Sequence, residues 1–200
     1  MVRKDLGVSS ATELDGASVC IQVGTTTEMN LADYFSANGM SYESIPVETN
    51  AEADAAYLAG RCDIYTTDAS GLYASRAGYP DPSAHVVLPE IVSKEPLGPS
   101  VRGNDSEWAD VVRWSLNAMI IAEEKGITSG NVDDMIANSP DPETQRLLGV
   151  KAGYGAWLGL SDDWAANIIR QVGNYSESFE KHIGVNTPIN IARGLNALYK

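Results

Sequence analysis

Between residues 17 and 88 this chain alternates strand-like and helix-like segments with connections of only a few residues, and that alternation leaves few folds open. Residues 17–23 form an apolar, β-branched run that ends in Gly24-Thr25-Thr26-Thr27-Glu28. Residues 30–38 then put Leu31, Tyr34 and Phe35 on one helical face, and Gly39 stops them. A second strand is expected over 42–47, and a second helix over 50–59 with alanines at close-packing positions. A third strand over 62–66, a short helix over 71–77 and a fourth strand over 85–88 follow. Strand and helix in turn require a parallel sheet with right-handed crossovers and helices on both faces. Ligands of such sheets bind beyond the carboxyl ends of the strands. The threonine turn and Asp68, which follows the third strand, both fall on that edge.

Residues 90–98 break this pattern and 99–102 are extended. A long helix is expected over 106–125, with Trp108, Val111, Val112, Leu116, Met119 and Ile120 at helical spacing and Gly126 as its stop. Further helices are expected over 131–138, 142–148, 164–173, 175–182 and 189–198, so the second half is nearly all helix. Tyr154, Trp157, Trp164 and Tyr175 are read as core aromatics of this half rather than as a sugar-stacking face.

The net charge of −13 argues against a nucleic-acid partner, which needs a basic face, and against an anionic membrane surface. No apolar run approaches the roughly 20 residues that span a bilayer. The first residues are polar with no apolar stretch after them, so no export signal is visible within the chain. His85 and His182 are far apart and there is no Cys-x-x-Cys, so neither a metal site nor a cofactor is expected. Asp133-Asp134 and Asp162-Asp163 lack the spacing of a calcium loop and read as helix starts. Ser70 and Ser100 stand in no motif that pairs them with a histidine, and no catalytic residue is assigned. Cys20 and Cys62 each lie in or beside a strand-like segment. They could be buried thiols or a disulfide, and composition leaves both open.

The turn at 24–28 carries the most chemistry. A helix N-terminus offers unpaired N–H groups and a partial positive charge, and threonine hydroxyls add donors. Such a turn suits a carboxylate, although ordinary N-capping explains the same residues. Asp68 on the same edge would complement an ammonium group, so that turn and acid together match the two ends of a zwitterion. The plainer role for Asp68 is to cap the short helix after it.

The runs GTTTEMNLADYF, GRCDIYTTDASGLYASR, VVLPEIVSKEPLGP, RQVGNYSESFE and IARGLNALY resemble the general L-amino-acid-binding proteins of bacterial polar amino-acid ABC importers, essentially along the whole chain. The resemblance implies an α/β, type II periplasmic-binding-protein fold, in which two lobes joined by hinge strands hold a free L-amino acid and present it to a membrane permease. It implies a periplasmic location. On it, residues 1–91 are the second lobe with its parallel sheet, 92–96 the returning hinge and 97–200 the helical C-terminal part of an incomplete first lobe. It sets Thr25 and Thr26 on the ligand carboxylate, Thr27 toward the ligand side chain and Asp68 on the ammonium, and it pairs Cys20 with Cys62.

Members of that family carry a long further stretch before the position of Met1. It supplies most of the first lobe's sheet, an arginine that clamps the carboxylate, and the aromatics that choose among amino acids. The expectation is therefore a chain that lacks its N-terminal part, binds amino acids weakly or not at all alone, and self-associates through exposed tryptophans such as Trp108 and Trp114. Two other functions are compatible with the scaffold. One is a dehydratase-like enzyme, for which Asp68 is the clear titratable candidate. The other is a stand-alone interaction module.

Overall fold

The strand Ser18–Gln22 shows why this sequence folds as it does: its side chains alternate between two different cores. Val19 and Ile21 are fully buried on one face with Leu31 and Phe35, whereas Cys20 is fully buried on the other with Ala53, Ala56 and Tyr57. A strand buried on both faces reads as a continuous apolar run, as this one does. The computed structural model describes residues 1–94, 97–151 and 154–198. Residues 95 and 96, the end of the expected hinge at 92–96, lie outside that description. The chain divides into two units, Met1–Pro96 and Leu97–Lys200.

The first unit is built on five strands: β1 (Val2–Arg3), β2 (Ser18–Gln22), β3 (Glu43–Val47), β4 (Ile64–Tyr65) and β5 (His85–Val86). Their order is β3-β2-β4-β1-β5. β2 pairs in parallel with β3 and β4, and β1 runs antiparallel to both β4 and β5. The sheet is therefore mixed rather than wholly parallel. β1 is two residues long, too short to leave an alternating pattern, and only its partners identify it. Helix α1 (Thr26–Ala37) covers the face of Val19 and Ile21, while α2 (Asn50–Leu58) and α3 (Ala69–Gly78) cover the face of Cys20 and Tyr65. The alanines of α2 let the helix approach closely, Ala53 being fully buried. Within this second core Cys20 and Cys62 form a disulfide with a Cα–Cα separation of 5.6 Å, as the family resemblance implies.

The described residues of the second unit are helical, with no strand among them. α4 (Ser106–Glu124), α5 (Val132–Asn138), α6 (Pro142–Leu147), α7 (Trp164–Val172) and α8 (Tyr175–His182) lie within a residue or two of their expected positions. α7 and α8 pack on α4. The core is small: Ala122, Ile127, Val132, Leu148, Ala166 and Ile169. Gly149 is required where the chain passes the backbone of Asp162, because a Cβ there would collide with that carbonyl. Arg193 reaches back to Glu123 on α4 in a two-pronged pair, Nη1–Oε1 2.6 Å and Nη2–Oε2 3.1 Å.

Two expectations for this half are corrected. Residues 189–198 are not a helix; they hold only the 3₁₀ turn Gly194–Asn196. The segment is instead tied down by side chains, chiefly that of Arg193. Trp157 and Tyr154 are not core aromatics: they are 86% and 51% exposed. They stack edge-to-face on each other at 5.8 Å, on the short turn Gly155–Leu158. Helical spacing cannot separate inside from outside on a turn of that length.

Candidate functional site

The register Cys20↔Tyr65 makes β2 and β4 parallel neighbours, so their carboxyl ends lie on one edge of the sheet. From β2 the chain turns into α1 on one face, and from β4 it turns into α3 on the other. Adjacent parallel strands whose following helices part to opposite faces leave a crevice at that edge, where ligands of open α/β sheets bind. The turn 24–28 borders it from one side and Asp68 from the other. The structure thus brings the four expected ligand residues, Thr25, Thr26, Thr27 and Asp68, to neighbouring strand ends.

The turn itself is tightly specified. Gly24 has φ +70°, a conformation that glycine adopts at little cost. Thr25 is the N-cap of α1: its Oγ1 accepts from the Glu28 N–H at 3.3 Å and its hydroxyl donates to the Gln22 carbonyl at 2.8 Å. Glu28 reaches back, its Oε2 accepting from the Gly24 N–H at 2.8 Å. A hydroxyl has one proton, and that of Thr25 is committed to Gln22. Thr25 therefore acts here through capping, and what it can still offer a ligand is its backbone N–H. Thr26, exposed, and Thr27, half-buried, begin the helix beside it, at the end where backbone N–H groups lack intrahelical partners.

The same device recurs at α2, where Thr49 Oγ1 accepts from Glu52 N–H at 3.2 Å and Glu52 accepts from Glu48 N–H at 3.0 Å. The Thr-x-x-Glu spacing is present in both places and marks helix starts. Asp68 differs. It stands at the N-cap position of α3, its backbone carbonyl accepts from Leu72 N–H at 2.9 Å, and its side chain makes no capping hydrogen bond. The carboxylate is exposed at the strand end.

Among the described residues no group of His, Cys, Asp and Glu is placed to hold a metal ion, and no helix is long and apolar enough to cross a membrane. Asp133 pairs with Arg170 at 2.6 Å, which holds its carboxyl below the ordinary range. In the second unit a groove of about 700 Å³ is walled by Trp114, Ile121, Leu147, Tyr154, Trp157 and Trp164. The sequence reading did not anticipate it, because its residues come from three separated segments.

No protein-family model matches the chain. It is 56% identical over 201 residues to the general L-amino acid-binding periplasmic protein AapJ of Rhizobium johnstonii, covering 100% of this chain and 59% of that one. It is 54% identical over 197 residues to the glutamate/glutamine/aspartate/asparagine-binding protein BztA of Rhodobacter capsulatus, covering 98% and 58%. Among solved structures, a periplasmic binding protein of an ABC transporter from Brucella ovis, with glutathione bound, superposes with a TM-score of 0.91 at 53% identity, over 98% of this chain and 62% of that one. The chain thus spans less than two thirds of the length of each.

Proposed function

We propose, from the premise that this chain is a homologue of the periplasmic amino-acid-binding proteins and carries their fold over the part it spans, that it is part of a solute receptor for L-amino acids that feeds an ABC importer. The observation that carries the reading is the pairing of opposite polarities at one sheet edge: the amino end of α1 and the exposed, non-capping carboxylate of Asp68. The ligand's α-carboxylate takes the N–H groups of Thr25 and Thr26 and the hydroxyl of Thr26, with Thr27 toward the ligand side chain. Its α-ammonium takes Asp68 in a charge-assisted hydrogen bond.

Both anchors address the main chain of an amino acid and leave its side chain unspecified, which favours broad specificity. Glutathione, bound to the Brucella protein, fits the same logic, because its γ-glutamyl residue keeps a free α-ammonium and α-carboxylate. In this reading residues 1–91 are the receptor's second lobe, 92–96 its hinge and 97–200 the helical part of its first. The role is binding without catalysis, since the site needs Asp68 as an ammonium partner and not as a base. The periplasm suits the disulfide as well as the relatives' location. The partner is the membrane permease. Trp108 and Trp114, exposed on α4, support self-association of this chain.

The test is an NMR titration of the chain with L-glutamine. Amide shifts should gather at residues 24–28 and 66–69, with a dissociation constant on the order of millimolar, about −4 kcal/mol, and Asp68→Asn should abolish them. Shifts confined to other residues, or equal binding by the variant, would remove the site. Micromolar affinity would remove the expectation that the chain alone binds weakly.

A further inference from the structure

Trp157 is the most exposed tryptophan of the chain, yet it is held in place. Its ring meets that of Tyr154 edge-on, and its turn, Gly155–Leu158, is pinned. The Gly155 N–H donates to Asp162 at 3.2 Å, and a Cβ on Gly155 would run into the Ser161 carbonyl. Beside the ring opens the groove of about 700 Å³, walled by Trp114, Ala118 and Ile121 of α4, Leu147 of α6, and Leu158 and Trp164. One face of the second unit thus carries a fixed, projecting ring and an apolar hollow. The rim of the groove bears both signs of charge. Lys125 is taken up by Asp141 and Glu143, at 3.0 and 2.6 Å. Glu124 and Arg146 are exposed, and among the described residues neither side chain forms an ion pair.

We propose that this face is an interface between two copies of the chain related by a two-fold axis, the Trp157 ring of each copy seated in the groove of the other. The inference rests on the reading that the chain self-associates, and names the surface that does so. A face that bears both a knob and its hole is complementary to itself, which is the condition for a two-fold contact. The rim obeys the same symmetry. Glu124 of one copy meets Arg146 of the other, twice, so the contact is locally neutral although each chain carries −13. An apolar or singly charged occupant would leave one of these two groups unmatched. The exposed parts of Trp114, Tyr154 and Trp157 amount to roughly 350 Å² per copy, taking about 200 Å² for each ring. That is nearly half of the ~800 Å² that one side of a standard interface buries, and the groove walls supply more.

The test is sedimentation equilibrium of the whole chain over a range of concentrations. The wild type should fit a monomer–dimer equilibrium, because a two-fold contact closes on itself, and not an open-ended series. Trp157→Glu should raise the dimer dissociation constant about thirtyfold or more, the effect of losing an interface hot spot, with an unchanged far-ultraviolet circular dichroism spectrum. Glu124→Arg and Arg146→Glu should each weaken the dimer, and the two together should restore it, since the exchanged charges pair again across the axis. Association that Trp157→Glu leaves unchanged, or that the paired charge exchange does not restore, overturns this interface and leaves self-association itself standing. A wild type that stays monomeric overturns both and leaves the groove to another occupant.

Discussion

The hydroxyl of Thr25 donates to the carbonyl of Gln22 at 2.8 Å, so the last residue of β2 and the cap of α1 are held by one side chain. The same oxygen accepts from Glu28 N–H. Thr25→Val keeps the shape and removes both bonds. It should lower the unfolding free energy by about 1 kcal/mol, the usual cost of a lost N-cap, whereas Thr25→Ser should be close to neutral. Urea unfolding followed by circular dichroism checks this; equal midpoints for the two variants would refute the capping role.

The disulfide closes a long loop between β2 and the residues before β4, with a sequence separation of 42. On the chain-entropy model its loss costs about 4 kcal/mol. The effect should be local. All four tryptophans, at 108, 114, 157 and 164, lie in the second unit. Replacing Cys20 and Cys62 by alanine should therefore weaken hydrogen-exchange protection in β2, β3 and β4 and leave the tryptophan emission spectrum of the folded chain unchanged. A shifted emission spectrum would show that the effect reaches the second unit.

Asp63 accepts from both the hydroxyl and the N–H of Ser18, at 2.6 and 3.1 Å. These bonds, with a smaller contribution from Arg3, hold its carboxyl below the ordinary range. A carboxyl whose folded pKa is depressed adds stability at pH values above its unfolded pKa of about 4, and that stability is lost as pH falls through the folded value. Ser18→Ala should raise the Asp63 pKa and flatten the acid limb of stability against pH. A carboxyl NMR titration that finds Asp63 unmoved by the substitution would exclude Ser18 as the cause.

Trp108 and Trp114 on α4 are 54% and 45% exposed. Apolar exposure of this kind favours association, against the net charge of −13, which opposes it. Light scattering should show a mean mass that rises with concentration and more steeply at high salt, where repulsion is screened. Trp108→Glu with Trp114→Glu should hold the chain monomeric. A wild-type chain that stays monomeric at every concentration would end the self-association reading.

Much of the first unit was legible because local pattern and global fold agree there. The run 17–23 is apolar on both faces and becomes a strand buried on both faces. The second core's polar tyrosines were not foreseen, because Tyr57, Tyr65, Tyr79 and His85 are brought together only when α2 and the end of α3 pack against β4 and β5. The threonine turn was legible as a helix start, but its division of labour was not. Spacing marks Thr25 and Glu28 as a pair, and only coordinates reveal that the hydroxyl proton goes to Gln22.

By itself, then, the chain's order of residues determined the succession of strands and helices, the split into an α/β half and a helical half, and the edge of the sheet that bears Thr26, Thr27 and Asp68. Those follow from periodicity and from glycines and caps, which act over a few residues. The tertiary structure decided the direction of β1, the exposure of Trp157, the joining of Cys20 to Cys62 and the freedom of the Asp68 side chain from its helix. Each of these depends on which distant segment comes to lie alongside, and burial and hydrogen bonding between segments far apart in sequence leave no period in either one alone.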